Sequence, residues 1–341
     1  MSRTYGSARS VVKYALSSGV TGRTGFPVLL LGFLIAAAPA ARAQGLPEFS
    51  PLNPMASSRS GLYYQPYRDP APGRWSTAFS FDYASIIEYN RLSQADYVLD
   101  SELLRMSLGL SRDLSPQTFV TLNGAVGGVY AGFLDGFLDW YHGRLGIRMD
   151  ERERRPKDQF LYTVTLPDGR SVSRSRQNLF IDDVRVGLGF RGDPQVQSVF
   201  SLTLPTSTSP RGYGRGVPSL SVINTMRAAL KPQLSYEGSL GLGFTPAHGD
   251  MTEGQRQLFL SLTSGLRWRI WRHQSVYANV FYHSPYYHET TLPALDRREL
   301  SLDFGWILKT AEGGEWRLGL TEDLEPAGPG VDLILRLGRT F

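Results

Sequence analysis

Asp135, Asp139 and His142 stand at offsets of four and three in the stretch Gly132–Gly146, where Phe133, Leu134, Phe137, Leu138, Tyr141 and Leu145 recur at helical spacing. On a helix those offsets bring two carboxylates and an imidazole to one face, with Arg144 close by. Such a trio can meet a permeating molecule at a constriction or offer ligands to a metal. It can equally be the polar side of a packed helix whose acids pair with arginines. No metal or other cofactor is expected from it, while constriction and simple packing both stay open.

A second set of charges falls at alternate positions of extended segments. Arg105, Asp183, Arg185 and Glu237 belong to it, as do Arg267, Arg269, Asp303 and Arg317; Asp82, Arg191, Asp332 and Arg336 share the same phase. Carried into the interior of a barrel, opposed charges either fill it with salt bridges or line a polar eyelet. Catalysis has little to stand on. His283 and Ser284 are strand neighbours and so point to opposite faces, and the chain has no Gly-x-Ser-x-Gly elbow, phosphate loop or His-Glu-x-x-His motif. The expectation is a protein that is not an enzyme.

The elements that must position these residues are strands. Val331–Phe341 alternates, with Leu333, Leu335, Leu337 and Phe341 on one side and Asp332, Arg336 and Thr340 on the other. The same split recurs over 232–244, 256–271 and 299–310, giving one face suited to lipid and one to water. In all, about twelve strands are expected: 75–88, 101–112, 117–130, 180–192, 196–206, 220–228, 232–244, 256–271, 275–288, 299–310, 314–323 and 331–341. The sixth is the weakest.

Connection lengths test the assignment. The even-numbered ones, at 113–116, 193–195, 229–231, 272–274 and 311–313, are short, while the odd-numbered ones, from 91–100 to 324–330, are longer. A transmembrane barrel has tight turns at one end and longer loops at the other, which a water-soluble β-sandwich does not require. The fold class is therefore all-β: a single antiparallel transmembrane barrel of about 12 strands spanning 74–341, with a helix-bearing extracellular loop at 131–179. Within that loop, Pro167-Asp-Gly169 between two short apolar runs marks a hairpin.

The amino terminus reads as an address. Arg3, Arg9, Lys13 and Arg23 precede an apolar core, and Ala41 and Ala43 frame a cleavage site, so 1–43 is expected to be a removable signal. Subtracting its five basic residues from 36 leaves 31, against 31 acids, so the mature chain lacks the basic excess that nucleic-acid binding needs. No nucleic-acid partner is expected. Residues 44–73, rich in Pro and Ser, show no period and are expected as an irregular periplasmic segment, with tucking into the barrel as the other option. Cysteine is absent, which excludes disulfides and thiolate chemistry.

The block Gly127–Arg148, with its Gly-Gly, Asp and His residues after the third strand, resembles an uncharacterised family of Gram-negative envelope proteins held to be barrels. More distantly the chain is similar to outer-membrane proteins associated with uptake of aromatic or hydrophobic compounds. The resemblance implies a Gram-negative outer-membrane location, with membrane lipid as solvent. The aromatic Phe341 at the end of the last strand resembles the signal read by the barrel-assembly machinery. The expected job is passive passage of a small molecule narrowed by loop 131–179; a structural or adhesive barrel with a closed lumen is the alternative.

Overall fold

The computed structural model describes residues 46–341, apart from 61, 72, 92–94, 147–155, 167, 210–212, 312 and 326–329. The signal at 1–43, with its framing Ala41 and Ala43, thus lies outside the described residues. In chain order the elements are helix α1 (Pro54–Arg59), strands β1 (Trp75–Arg91), β2 (Asp96–Asp113) and β3 (Thr118–Tyr130), and helix α2 (Asp135–Leu145). There follow β4 (Leu161–Thr165), β5 (Ser171–Arg174), β6 (Gln177–Ile181), β7 (Val184–Asp193), β8 (Val196–Leu204) and β9 (Ser219–Lys231). The chain ends with β10 (Leu234–Phe244), β11 (Leu258–Trp271), β12 (Gln274–His283), helix α3 (Pro293–Asp296), β13 (Glu299–Lys309), β14 (Glu315–Asp323) and β15 (Leu333–Thr340).

Twelve strands close into an antiparallel barrel. Each of β1, β2, β3 and β7 through β15 pairs with its neighbours, and β15 returns to β1 in the register Phe81 to Leu337. Closure leaves no edge unpaired, which hydrocarbon demands because it offers nothing to an orphaned amide. Alternation sends Phe79, Leu108, Leu188, Leu318 and Leu337 outward, each at least 40% exposed, and buries Asp82, Glu237, Arg267, Asp303 and Arg336 inside. All six tryptophans lie on the outer surface, none less than 37% exposed. Five of them, Trp75, Trp268, Trp271, Trp306 and Trp316, lie towards the short-turn end as an interfacial girdle, and Trp140 sits on α2 at the other end.

β1 and β2 run beyond the barrel wall, where the β4–β5 hairpin joins β2 through the pairing Asp96–Asp100 with Leu161–Thr165. This extension folds into a dome whose core includes Tyr97, Leu99, Tyr162, Val164, Tyr286 and Leu295. The expected long connection after the first strand is therefore corrected to residues 92–95, because β1 and β2 pair almost to their tips. Similarly, β12 stops at His283 rather than 288, where Pro285 has no amide to continue the ladder. β7 begins at Val184 rather than 180, the preceding residues forming β6 against β3.

The segment expected as a periplasmic lead-in lies inside the barrel. From Leu46 it rises to α1 near the loop end, capped by the Asn53 side chain on the Met55 amide and started by Pro54. It then turns at Ser60 and descends beside itself, Phe49 bridging Tyr64, to leave at the short-turn end by Asp113.

Candidate functional site

The lumen is a wall of charged strands around this plug. Near its centre Arg317 makes two bonds to Asp303, at 2.9 and 2.7 Å, and donates to Tyr277. Arg336 lies between Asp82 at 3.7 Å and Asp303 at 3.8 Å. Both arginines also reach the plug: Arg317 donates to the Glu48 carbonyl at 2.8 Å and Arg336 to that of Ser50 at 3.2 Å. Opposite them Glu237 accepts from the amides of Leu46 and Tyr67, at 3.3 and 2.8 Å, and from the Tyr64 hydroxyl. Gln197 and Thr225 bond the chain between Gln65 and Arg68. Apolar contacts accompany these: Leu46, Phe49 and Tyr64 cluster on Tyr277, Phe281 and Ile307, and Leu52, Met55, Ala56 and Leu62 join the larger core with Ala84, Leu103, Val129 and Phe259 of the wall.

The other interior candidates have their own partners. Arg105 pairs with Asp182 at 3.0 Å, Asp183 with Arg215 at 3.2 Å, and Arg267 with Glu315 at 2.7 Å. Arg185 stacks on the plug residue Tyr63 at 3.5 Å, with its Nε and Nη1 unbonded. Arg269 is not at a constriction; it sits at the short-turn end, donating to the Pro232 carbonyl at 2.8 Å. Phe341 is exposed at that same end, its amide bonded to Thr77.

Asp135, Asp139, His142 and Arg144 are nowhere near the lumen. α2 lies against the outside of the barrel, packing Leu134 and Leu138 on Tyr83, Leu333 and the partly buried Leu104 and Leu320. Glu102, pointing outward, directs it there: its carboxylate accepts the amides of Phe133 and Leu134 and the Tyr83 hydroxyl. Without that cover a carboxylate would face lipid. The three polar residues also diverge. Asp135 accepts from the Asp158 amide, Asp139 from Lys157, and His142 lies 3.8 Å from Asp332, which therefore faces the helix outside and not the lumen. Arg144 lies over Trp140. The expected constriction by this trio is thus corrected.

The plug residues Asn53, Arg59, Tyr64 and Tyr67 escape sequence reasoning because irregular chain carries no period. The one available signal is the density of buried-type aromatics, Tyr63, Tyr64 and Tyr67, in a segment otherwise resembling a linker.

A family model described as a protein of unknown function (DUF3187) matches residues 28–341, and the chain belongs to that family. No curated protein matches it. Among solved structures it is similar to the COG4313 outer membrane channel from Pseudomonas putida F1, with a TM-score of 0.51 at 11% identity over 80% of this chain and 96% of that one. The NanC porin (TM-score 0.43, 7% identity, 79% and 99% covered) and the Pseudomonas putida toluene transporter TodX (0.37, 8%, 79% and 89%) are further barrels with which it aligns. At these identities the likeness is one of fold, that of an outer-membrane channel barrel.

Proposed function

We propose that this member of the DUF3187 family is an outer-membrane channel that passes a small molecule passively, and that its gate is the plug at 46–71 and not the loop at 131–179. The short-turn end, with its tryptophan girdle and Phe341, then faces the periplasm, and the dome faces the cell exterior. Cleavage after Ala43 and insertion by the barrel-assembly machinery complete the same reading. No catalytic role is assigned.

One observation carries it. Across the lumen the plug is tied to the charged wall residues Glu237, Arg317 and Arg336 by hydrogen bonds that water can replace, and it has cavities on both sides: about 370 Å³ under the dome, and about 180 and 440 Å³ towards the short turns. Its apolar contacts, chiefly those of Leu52, Met55, Ala56 and Leu62 towards the loop end, are what opening has to overcome.

The absence of cysteine allows a clean test in planar bilayers. A disulfide between Gln65→Cys and Thr225→Cys joins plug to wall where the Thr225 hydroxyl donates to the Gln65 backbone carbonyl at 2.8 Å. Conductance should be suppressed when this pair is oxidised and return on reduction, and deletion of residues 46–68 should raise it permanently. Equal conductance in both redox states removes the plug as gate. No current even after the deletion favours the closed structural or adhesive barrel.

A further inference from the structure

The cavity of about 370 Å³ under the dome lies between α1, the β4–β5 hairpin and the loops at 205–218 and 245–257. Three arginines line it. Arg174 is matched by Asp250 at 2.6 Å and Arg215 by Asp183 at 3.2 Å. Arg59, the last residue of α1, has no carboxylate among the described residues. Its guanidinium donates to His248 Nδ1 at 2.7 Å and to the Arg256 carbonyl at 3.3 Å, its Nε has no partner, and the residue is 2% exposed. His248 Nδ1 meets two opposed demands: Arg59 can only donate to it, and the Pro246 carbonyl, 3.1 Å away, can only accept from it. Burial, with the charges of Arg59 and Arg215 nearby and against the Pro246 hydrogen bond, holds His248 below its ordinary value, so the ring brings no second positive charge. A buried guanidinium without a counter-charge is costly, and here it sits on the gate itself.

Met55, Tyr162, Val164, Val172, Met251 and Tyr287 form the apolar and aromatic part of the wall, and Ser58, Ser207, Ser209, Asp250 and Gln255 the polar part. We infer that this vestibule binds a small organic monocarboxylate with an apolar body, its carboxylate on Arg59 and its body against the tyrosines and methionines. A single uncompensated guanidinium matches one negative charge in a planar fork geometry. A phosphate dianion would leave a charge over, a cation would be repelled, and a neutral aromatic would leave Arg59 as it is. Beneath the vestibule the series continues, since Arg215 also lines a cavity of about 40 Å³ together with the unpaired Arg185. Binding at Arg59 competes with the contacts that hold α1, so the ligand is also the natural trigger for the gate. That use rests on the channel reading; the binding itself does not.

Calorimetry on the full mature chain in neutral detergent micelles tests this with benzoate, benzyl alcohol and benzylammonium as probes. Benzoate should bind on the order of ten-fold tighter than benzyl alcohol, and benzylammonium not at all. Arg59→Gln should bring the benzoate and alcohol affinities to parity, whereas Arg174→Gln should leave a preference for benzoate. Equal affinities in the unaltered protein, or a preference that survives Arg59→Gln, overturn the site. Should Arg59→Gln lose heat-modifiable migration and so fail to fold, the three probes on the unaltered chain decide alone. Bilayer currents in the same preparation separate the two claims: benzoate binding without current in the plug-deleted form retains the site and ends the channel, and current without benzoate preference does the reverse.

Discussion

Two short helices near the loop end of the barrel have opposite surroundings. α1 is enclosed by the wall and dome, with Met55 and Ala56 in the apolar core and Arg59 reaching the His248 ring and the Arg256 carbonyl. α2 is pressed on the outer wall by Leu134 and Leu138 while Phe133, Phe137 and Trp140 remain 45–67% exposed. In water an amphipathic helix has one destination for its apolar face. Beside a membrane it has two, protein and lipid, so helical periodicity announces α2 without saying which side of the wall it occupies. The proposed gate belongs to the helix that lacks the pattern.

The comparison can be broken most forcefully at the centre of the lumen. Asp303 is fully buried and serves both Arg317 and Arg336, which in turn hold the Glu48 and Ser50 carbonyls. Asp303→Ala leaves two interior arginines short of a counter-charge, and removal of one partner from such a group costs about 3–5 kcal/mol. Urea unfolding in detergent micelles should show that loss. A change below about 1 kcal/mol means the plug is not tied to the wall there.

Glu237 probes the gate with less damage to the barrel. Glu237→Gln keeps the shape but exchanges one acceptor oxygen for a donor, weakening its hold on Leu46, Tyr64 and Tyr67. A loss of about 1–3 kcal/mol from the plugged state raises the open population roughly five- to a hundred-fold. Single-channel recordings should show longer openings with unit conductance unchanged. Unaltered gating would transfer the role to some other contact.

What is legible in the sequence follows from the same physics. Strands with lipid on one side and a polar lumen on the other must alternate, so β8, β10, β13 and β14 fall within two residues of their expected limits. Alternation fails where both faces are covered. Val98 and Leu99 on β2 are apolar in succession and both buried, Leu99 in the dome core, and by period alone that stretch reads as loop. Inward charges such as Arg105, Glu237 and Asp303 are legible because they sit in phase with the strand, whereas Asp332 precedes β15 and escapes the phase altogether. The plug is illegible as a site: its residues are chosen by contacts with strands distant along the chain, such as Gln197 with Arg68 and Thr225 with Gln65, 129 and 160 positions apart.

The smallest effect belongs to the outer helix and is the most diagnostic of its side. Leu138 is fully buried against the wall, and in a water-soluble protein Leu→Ala at such a site costs about 2–5 kcal/mol. Much of that cost is the return of apolar surface to water. If α2 separates into lipid instead, only packing contacts are lost and the hydrophobic driving force is missing. Leu138→Ala should therefore cost about 1 kcal/mol or less in lipid vesicles, with conductance and gating unchanged. A loss in the soluble-core range means that water reaches this face of the barrel. A rise in conductance means that α2 restrains the pore after all, and the contrast between the two helices collapses.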